Sequence, residues 1–245
     1  MSNERLLLSE KYKVFLKHDA PVEFLEGTTA AGKTTVGLFK FMLKVAESPK
    51  KLHIIAAKDT GTAEKNIINK DLGIIDDFGI LTEYNGNGTK DDKIPHILFH
   101  TSGGDKIIYV LGYGDKKKWQ KALGGQYGCL YIDEINTADI EFVRESAMRC
   151  DYLMGTLNPD DPNLPVYKEY INCSVLFLNG RKRLQKKYWK NYERNQSPAG
   201  CIGSFLLPII WVCQRRNWKT LSGIRQKVRR SGRTRSRGYE VRQPV

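Results

Sequence analysis

A glycine-containing turn, GTTAAGKT at residues 27 to 34, constrains the fold of this 245-residue chain more than any other feature. It matches the pattern G-x-x-x-x-G-K-[ST] at every fixed position. The apolar run VEFLE precedes the turn, and the helix-competent run KTTVGLFKFMLKV follows it. Glycines in this context let backbone N–H groups curl toward an anion at a helix N-terminus. The sequence therefore predicts a phosphate-binding loop between a strand and a helix.

The residue types in the turn indicate a nucleoside triphosphate with magnesium. Lys33 is predicted to reach the β and γ phosphates, and the Thr34 hydroxyl is predicted to ligate Mg²⁺. The alternative is a glycine turn with a solvated lysine, which the flanking strand and helix disfavour. The expected nucleotide contacts are Gly27, Thr28, Thr29, Ala30, Ala31, Gly32, Lys33, Thr34 and Thr35.

A second motif, CLYIDE at residues 129 to 134, places two carboxylates after an apolar run. Acids that end a buried strand are costly unless they act at the carboxyl edge of the sheet, where ligands bind in open parallel sheets. Asp133 is predicted to hold magnesium, directly or through water, and Glu134 to orient or deprotonate the attacking water. Two solvated acids remain the alternative. A small-molecule kinase has no use for a water-activating glutamate, so the pair favours nucleotide hydrolysis.

A third element, GTLNP, follows the apolar residues YLM and ends in a helix-breaking proline. Thr156 and Asn158 are uncharged hydrogen-bonding residues at the end of this predicted strand. We expect them to sense the γ phosphate and to pass its presence to the next segment. Alone, GTLNP would be an ordinary turn.

Residues 1–173 alternate apolar β-branched runs with helix-competent stretches, which predicts an α/β fold. The expected class is a P-loop NTPase with a mostly parallel central sheet flanked by helices. Predicted strands are Val22–Glu26, Leu52–Ala56, Ile97–His100, Lys106–Gly112, Cys129–Asp133 and Tyr152–Gly155. Predicted helices are Lys33–Glu47, Gly61–Lys70, Lys116–Leu123 and Ala138–Arg149. The Asn- and Gly-rich segment after residue 81 is expected to form a loop or hairpin.

The basic excess of the chain is confined to its C-terminal part. Residues 174–245 contain 18 Lys and Arg but only two Glu, a net of +16, whereas residues 1–173 carry a net of −3. We expect a poorly ordered basic tail here rather than a folded domain. It is either a nucleic-acid-binding tail or an out-of-frame extension, and tryptophans scattered among arginines favour the second. The chain lacks the roughly 20-residue apolar run of a membrane span and a secretory signal, so the cytosol is the expected location.

The three motifs, in this order, resemble the N-terminal ATPase domain of phage terminase large subunits, in the branch found in PBSX-like prophages. The resemblance covers residues 1–172 and also rests on the segments HIIAAKD, WQKALGGQYGCLYIDEIN and GTLNPDDP. It implies an ATP- and Mg²⁺-dependent motor that works as a homo-oligomeric ring. The implied partners are double-stranded DNA, a terminase small subunit and a portal, with no membrane, and the implied location is the cytoplasm of a bacterial host.

Two departures from that family pattern matter. Many terminases carry an arginine inside the phosphate loop, whereas the variable positions here are Thr28, Thr29, Ala30 and Ala31. The cation that stabilises the transition-state charge at the γ phosphate would then be Arg144, Arg149 or an arginine of a neighbouring subunit. The resemblance also implies a separate C-terminal nuclease, which needs an acidic cluster to hold two metals. Residues 174–245 contain no Asp and only two Glu, so no endonuclease activity is expected. A helicase-like ATPase and a truncated, non-catalytic nucleotide- or nucleic-acid-binding remnant remain alternatives.

Overall fold

Ten strands in one sheet form the centre of the computed structural model, which describes residues 9–178, 181–183 and 209–213. The strands are β1 (Val22–Glu26), β2 (Leu52–Ala57), β3 (Thr82–Asn85), β4 (His96–Thr101), β5 (Gly104–Gly112), β6 (Tyr127–Ile132), β7 (Cys150–Leu157), β8 (Val175–Leu178), β9 (Arg181–Arg183) and β10 (Ile209–Cys213). The α-helices are α1 (Glu10–Lys17), α2 (Lys33–Glu47), α3 (Thr60–Ala63), α4 (Ile74–Phe78), α5 (Lys116–Ala122), α6 (Ile140–Ala147) and α7 (Pro165–Glu169). A π-helical turn (Glu64–Ile68) continues α3, and 3-10 turns cover Ile135–Thr137 and Ile171–Cys173.

The strand order is β3-β4-β5-β2-β6-β7-β1-β10-β8-β9. The central strands β5, β2, β6, β7 and β1 run parallel, whereas the outer strands on both sides pair antiparallel. Strand β7 lies between β1 and β6, so the strand that precedes GTLNP separates the phosphate-loop strand from the carboxylate strand. Because these three strands are parallel, their carboxyl ends meet at one edge of the sheet.

Alternation along the parallel strands builds two cores, one on each face of the sheet. In β6, Leu130 and Ile132 face α5, α6 and α7, whereas Cys129 and Tyr131 face α1 and α2. Helix α2 packs closely on the second face at Gly37. A Cβ there would lie 3.2 Å from Leu25 Cδ1 and 3.4 Å from the methyl of Thr156, so glycine lets the helix approach β1 and β7.

Most predicted elements are present, and the fold class is confirmed. The bounds of β1 and α2 match the prediction, and the Asn- and Gly-rich segment forms the β3–β4 hairpin. The predicted helix Gly61–Lys70 is instead a short α-helix followed by the π-helical turn. The strand predicted over Cys129–Asp133 begins two residues earlier and ends at Ile132, so Asp133 begins the following turn.

Three described segments of residues 174–245 belong to the sheet. Strand β10 pairs antiparallel with β1, and β8 and β9 follow beyond it. Strand pairing therefore crosses the domain boundary that the composition predicted at residue 173. The other residues of this segment lie outside the described residues, so the basic tail without a nuclease domain stays a prediction. Among the described residues, no helix is long and apolar enough to cross a membrane.

Candidate active site

The phosphate loop runs from the carboxyl end of β1 to the first turn of α2. Gly27 N–H donates to the carbonyl of Leu157 at 3.1 Å, which ties the start of the loop to the end of β7. Ala30 and Gly32 adopt left-handed backbone conformations, with φ of 62° and 75°. Thr28 and Thr29 are exposed, so the loop opens to solvent. A left-handed alanine is uncommon outside sites where the surrounding structure imposes it.

Tyr12 of α1 contacts the phosphate loop at Ala31 and Gly32. Its hydroxyl donates to the carbonyl of Ala31, and its ring lies against Gly32. Burial raises the pKa of the Tyr12 hydroxyl, which keeps it a neutral donor. Lys40 of α2 links α1 to the rest of the fold. Its buried ammonium pairs with Glu23 of β1 and donates to the carbonyl of Phe15 in α1 at 2.7 Å. Tyr12 lies 15 residues before Gly27 and belongs to no sequence motif, so the sequence did not identify it as part of the site.

Lys33 lies where the three central strands end. Its ammonium donates to Asn158 Oδ1 at 2.8 Å and to the carbonyl of Thr28 at 3.3 Å. Burial lowers the pKa of Lys33, while the carboxylates of Asp133 and Glu134 act in the opposite direction. The ammonium of the loop lysine is therefore within electrostatic range of both acids.

Asp133 is buried and belongs to a short hydrogen-bond network across β6 and β7. Thr156 Oγ1 donates to Asp133 Oδ1 at 2.6 Å, and the Tyr131 hydroxyl lies 3.5 Å from Thr156 Oγ1. Tyr131 also interacts with Thr34 and Asp133, and burial raises its pKa well above the usual value. Tyr131 lies two residues before Asp133, and in the strand predicted over Cys129–Asp133 that spacing puts both on one face, which is the signal that could have identified it.

Glu134 differs from Asp133 in that its side chain is exposed. Its backbone is left-handed, with φ and ψ both at 49°, and it begins the 3-10 turn that follows β6. Thr137 fixes this turn by donating through its N–H and its hydroxyl to the Glu134 carbonyl, each at 2.9 Å. Glu134 lines an open cleft of about 480 Å³ together with Lys58, Tyr113 and Lys116. The Glu134 carboxylate therefore faces solvent, and its charge acts on Lys33 of the phosphate loop.

The oxygen donors of this site, a hydroxyl and a carboxylate, suit Mg²⁺ that is also bound by substrate phosphates and water. Among the described residues, no group of three or more His, Cys, Asp or Glu side chains could hold a metal. Thr34 and Asp133 both interact with Tyr131, which brings a hydroxyl and a carboxylate together. Mg²⁺ is commonly bound by one or two carboxylates together with substrate phosphates and water.

The structure thus brings together Lys33, Thr34, Asp133, Thr156 and Asn158, with Glu134 beside them. The two arginines considered as the missing cation are not placed for that role, and this corrects the expectation. The Arg144 guanidinium pairs with Glu169 on α7, with Nε to Oε2 at 2.8 Å. Arg149 directly precedes β7 and so lies at the amino edge of the sheet, opposite the loop.

No protein-family model and no curated protein sequence matches the chain. Solved structures do match. The large terminase of a thermophilic bacteriophage aligns with a TM-score of 0.56 and 18% identity, over 85% of this chain and 53% of that one. The complex of that terminase with ADP gives 0.54 and 20%, over 81% and 52%. Its complex with ATP-gamma-S gives 0.50 and 18%, over 75% and 46%. The chain spans about half the length of these proteins, and over that length it has the α/β fold of phage large terminases.

Proposed function

We propose that this chain is the ATP-hydrolysing motor part of a phage DNA-packaging terminase, coupling hydrolysis to translocation of double-stranded DNA into a procapsid. The observation that carries the proposal is the meeting of Lys33, Asp133, Glu134 and Asn158 at one edge of the sheet. The fold shared with the large terminase of the thermophilic bacteriophage supports it, and so do the ADP and ATP-gamma-S complexes of that protein. Assignment to the PBSX-like branch rests on the sequence motifs.

Each residue has a defined part in the proposed reaction. The Lys33 ammonium and the N–H groups at the start of α2 hold the β and γ phosphates. Thr34 and Asp133 hold Mg²⁺, which neutralises charge on the transferring phosphoryl group when it is bound. Glu134 accepts a proton from the attacking water or orients it. Burial of Lys33 and Asp133 strengthens their interactions with charge relative to water.

The end of β7 provides the proposed coupling. A phosphate oxygen competes with Asn158 Oδ1 for the Lys33 ammonium, so nucleotide binding changes the partner of Asn158. Thr156 contacts Asp133 through its hydroxyl and packs near Gly37 of α2. Because β7 is hydrogen-bonded to both β1 and β6, a shift at Asn158 reaches both site-bearing strands. The expected partners are double-stranded DNA, a portal, a small subunit and further copies of this chain in a ring.

Hydrolysis of ATP and of GTP, with Mg²⁺ and with or without long duplex DNA, tests this function. Lys33→Ala is expected to abolish hydrolysis through lost phosphate stabilisation. Glu134→Gln is expected to retain nucleotide binding and to lose turnover by roughly 10² to 10⁴-fold, the usual contribution of general base catalysis. Glu145→Gln, an exposed change on α6, is the matched control and should retain activity.

Wild-type turnover in either site variant would rule out the assignment. DNA stimulation together with ring formation supports the packaging motor over a helicase-like ATPase. Nucleotide binding without turnover, with or without DNA, indicates a non-catalytic remnant. The measured oligomeric state separates an inactive monomer from an inactive ring.

A further inference from the structure

Lys70 is a second lysine that reaches the start of α2. It follows the π-helical turn and is half-buried, and its ammonium lies 3.5 Å from Thr35 Oγ1 in the first turn of α2. Its charge also acts on Lys33, whose pKa it helps to lower after the larger effect of burial. Both lysines therefore lie at the first turn of α2, Lys33 as its first residue and Lys70 through its contact with Thr35.

The charge of Lys70 is not balanced by an adjacent carboxylate. Within the described part of the chain its ammonium forms no ion pair, and its hydrogen-bond partner is the Thr35 hydroxyl. Burial raises the pKa of the Asp77 carboxyl, and the charge of Lys70 acts on it in the opposite direction. By contrast, the buried Lys40 ammonium pairs with Glu23 Oε2 at 2.7 Å. A fully buried cation such as Lys40 normally has such a partner, because desolvating an unpaired charge is costly.

The backbone around Lys70 is fixed in an unusual conformation. Asn69 N–H donates to the Glu64 carbonyl at 2.8 Å, and Gly73 N–H donates to the Lys70 carbonyl at 2.9 Å. A Cβ at Gly73 would lie 2.7 Å from the Lys70 carbonyl oxygen, so the chain turns too tightly for any other residue. Leu72 is left-handed, with φ of 56°. Isolated π-helical turns and left-handed non-glycine residues both concentrate at functional sites.

Two like charges next to the positive end of a helix are stabilised by an anion bound between them. The phosphate loop itself contributes no arginine, since its variable positions are Thr28, Thr29, Ala30 and Ala31. We propose that Lys70 is a second phosphate-binding cation, which contacts the triphosphate from the segment after the π-helical turn and supplies in cis the charge that the loop lacks. This inference rests on the proposed function, because it assumes that the loop binds a nucleoside triphosphate.

Equilibrium binding of Mg²⁺-ATP and Mg²⁺-ADP to the full chain tests the role of Lys70. Lys70→Met, which keeps the length of the side chain and removes the charge, is expected to weaken ATP binding by about tenfold or more, the size of one charge-assisted hydrogen bond. Lys70→Arg should retain most of the affinity. Lys65→Met, an exposed position on the π-helical turn, is the matched control and should bind as wild type does.

A larger loss with ATP than with ADP identifies the terminal phosphate as the contact, and equal losses identify an inner phosphate. Either outcome supports the proposal, provided that the thermal unfolding midpoint of the nucleotide-free variant is unchanged. Wild-type affinity in Lys70→Met, or the same loss in Lys65→Met, would overturn it. If Lys33→Ala loses binding while Lys70→Met does not, this inference fails and the proposed function stands. If the wild-type chain binds neither nucleotide, both fail.

Discussion

The Lys33 ammonium donates a 2.8 Å hydrogen bond to Asn158 Oδ1, which joins two residues 125 positions apart in the chain. One lies at the start of α2 and the other directly after β7. The ammonium that is proposed to bind phosphate is therefore already held by the segment that is proposed to respond to phosphate. Because Asn158 is uncharged, it can orient the ammonium without neutralising it.

A carboxylate at position 158 should compete with phosphate for the Lys33 ammonium. Asn158→Asp is expected to form an ion pair with the ammonium and to weaken ATP binding by roughly tenfold or more, because the phosphates must then displace a charged partner. Asn158→Ala should bind ATP nearly as tightly as wild type and turn it over more slowly. Titration with a fluorescent ATP analogue measures the difference. Asn163→Asp, on the exposed loop before α7, is the control, and equal affinities for the two Asp variants would contradict the prediction.

The Thr156 hydroxyl should orient Asp133 for metal binding. Thr156→Val removes the donor to Asp133 Oδ1 and leaves a buried carboxylate oxygen without that partner, at a cost of about 1–3 kcal/mol in unfolding free energy. The Mg²⁺ concentration for half-maximal hydrolysis is expected to rise. Thr156→Ser keeps the hydroxyl and should restore it. Mg²⁺ titrations of the three proteins check this, and an unchanged requirement in the valine variant would refute the role.

The left-handed backbone of Glu134 predicts opposite effects on stability and activity. A non-glycine residue in this conformation costs about 1 kcal/mol or more, so Glu134→Gly is expected to maintain or raise the free energy of unfolding while hydrolysis is lost. The same change at Glu145, inside α6, should lower the unfolding free energy by about 1 kcal/mol. Urea unfolding of both variants gives the comparison. Equal destabilisation at the two positions would show that the Glu134 conformation stores no strain.

His53 predicts a loss of stability in mild acid. Its ring is buried between β2 and β6, where Nδ1 accepts from the Cys129 N–H and Nε2 donates to the Lys50 carbonyl, each at 3.0 Å. Burial lowers the pKa of His53 to about 4. The unfolded chain therefore binds a proton below about pH 6.5 that the folded chain excludes, and the unfolding free energy should fall by about 1.4 kcal/mol between pH 7.5 and 5.5.

Urea unfolding at both pH values measures this change. In His53→Gln the neutral amide does not titrate, so the same pH interval should produce a smaller loss. If the variant and the wild type respond equally, the acid sensitivity has another source.

The local patterns of the sequence were sufficient to predict β1, α2 and the phosphate loop between them. An apolar run, a glycine turn and a helix-forming stretch follow each other within the first 47 residues, and each is a short-range signal. The order of β1, β7 and β6 then aligns Gly27, Asp133 and Asn158 at one edge, as expected for parallel strands. This is why the sequence alone is sufficient to assign residues far apart in the chain to one site.

The contacts that sequence patterns missed depend on long-range packing. Tyr12 reaches Ala31 only because α1 folds back onto the loop, and nothing in the local pattern of α1 indicates this. The π-helical turn adds one residue to a helical turn, a change that apolar periodicity does not resolve. The contact between Lys70 and Thr35 depends on that turn, so the sequence pattern could not predict it either.

Strand β1 is hydrogen-bonded to β7 on one side and to β10 on the other. Ending the chain at residue 173 would therefore leave the strand that carries the phosphate loop as a bare edge, with a row of backbone N–H and C=O groups free to template pairing with another molecule. Aggregation of such a shortened protein would result from this exposed edge. It would carry no information about how intact subunits assemble.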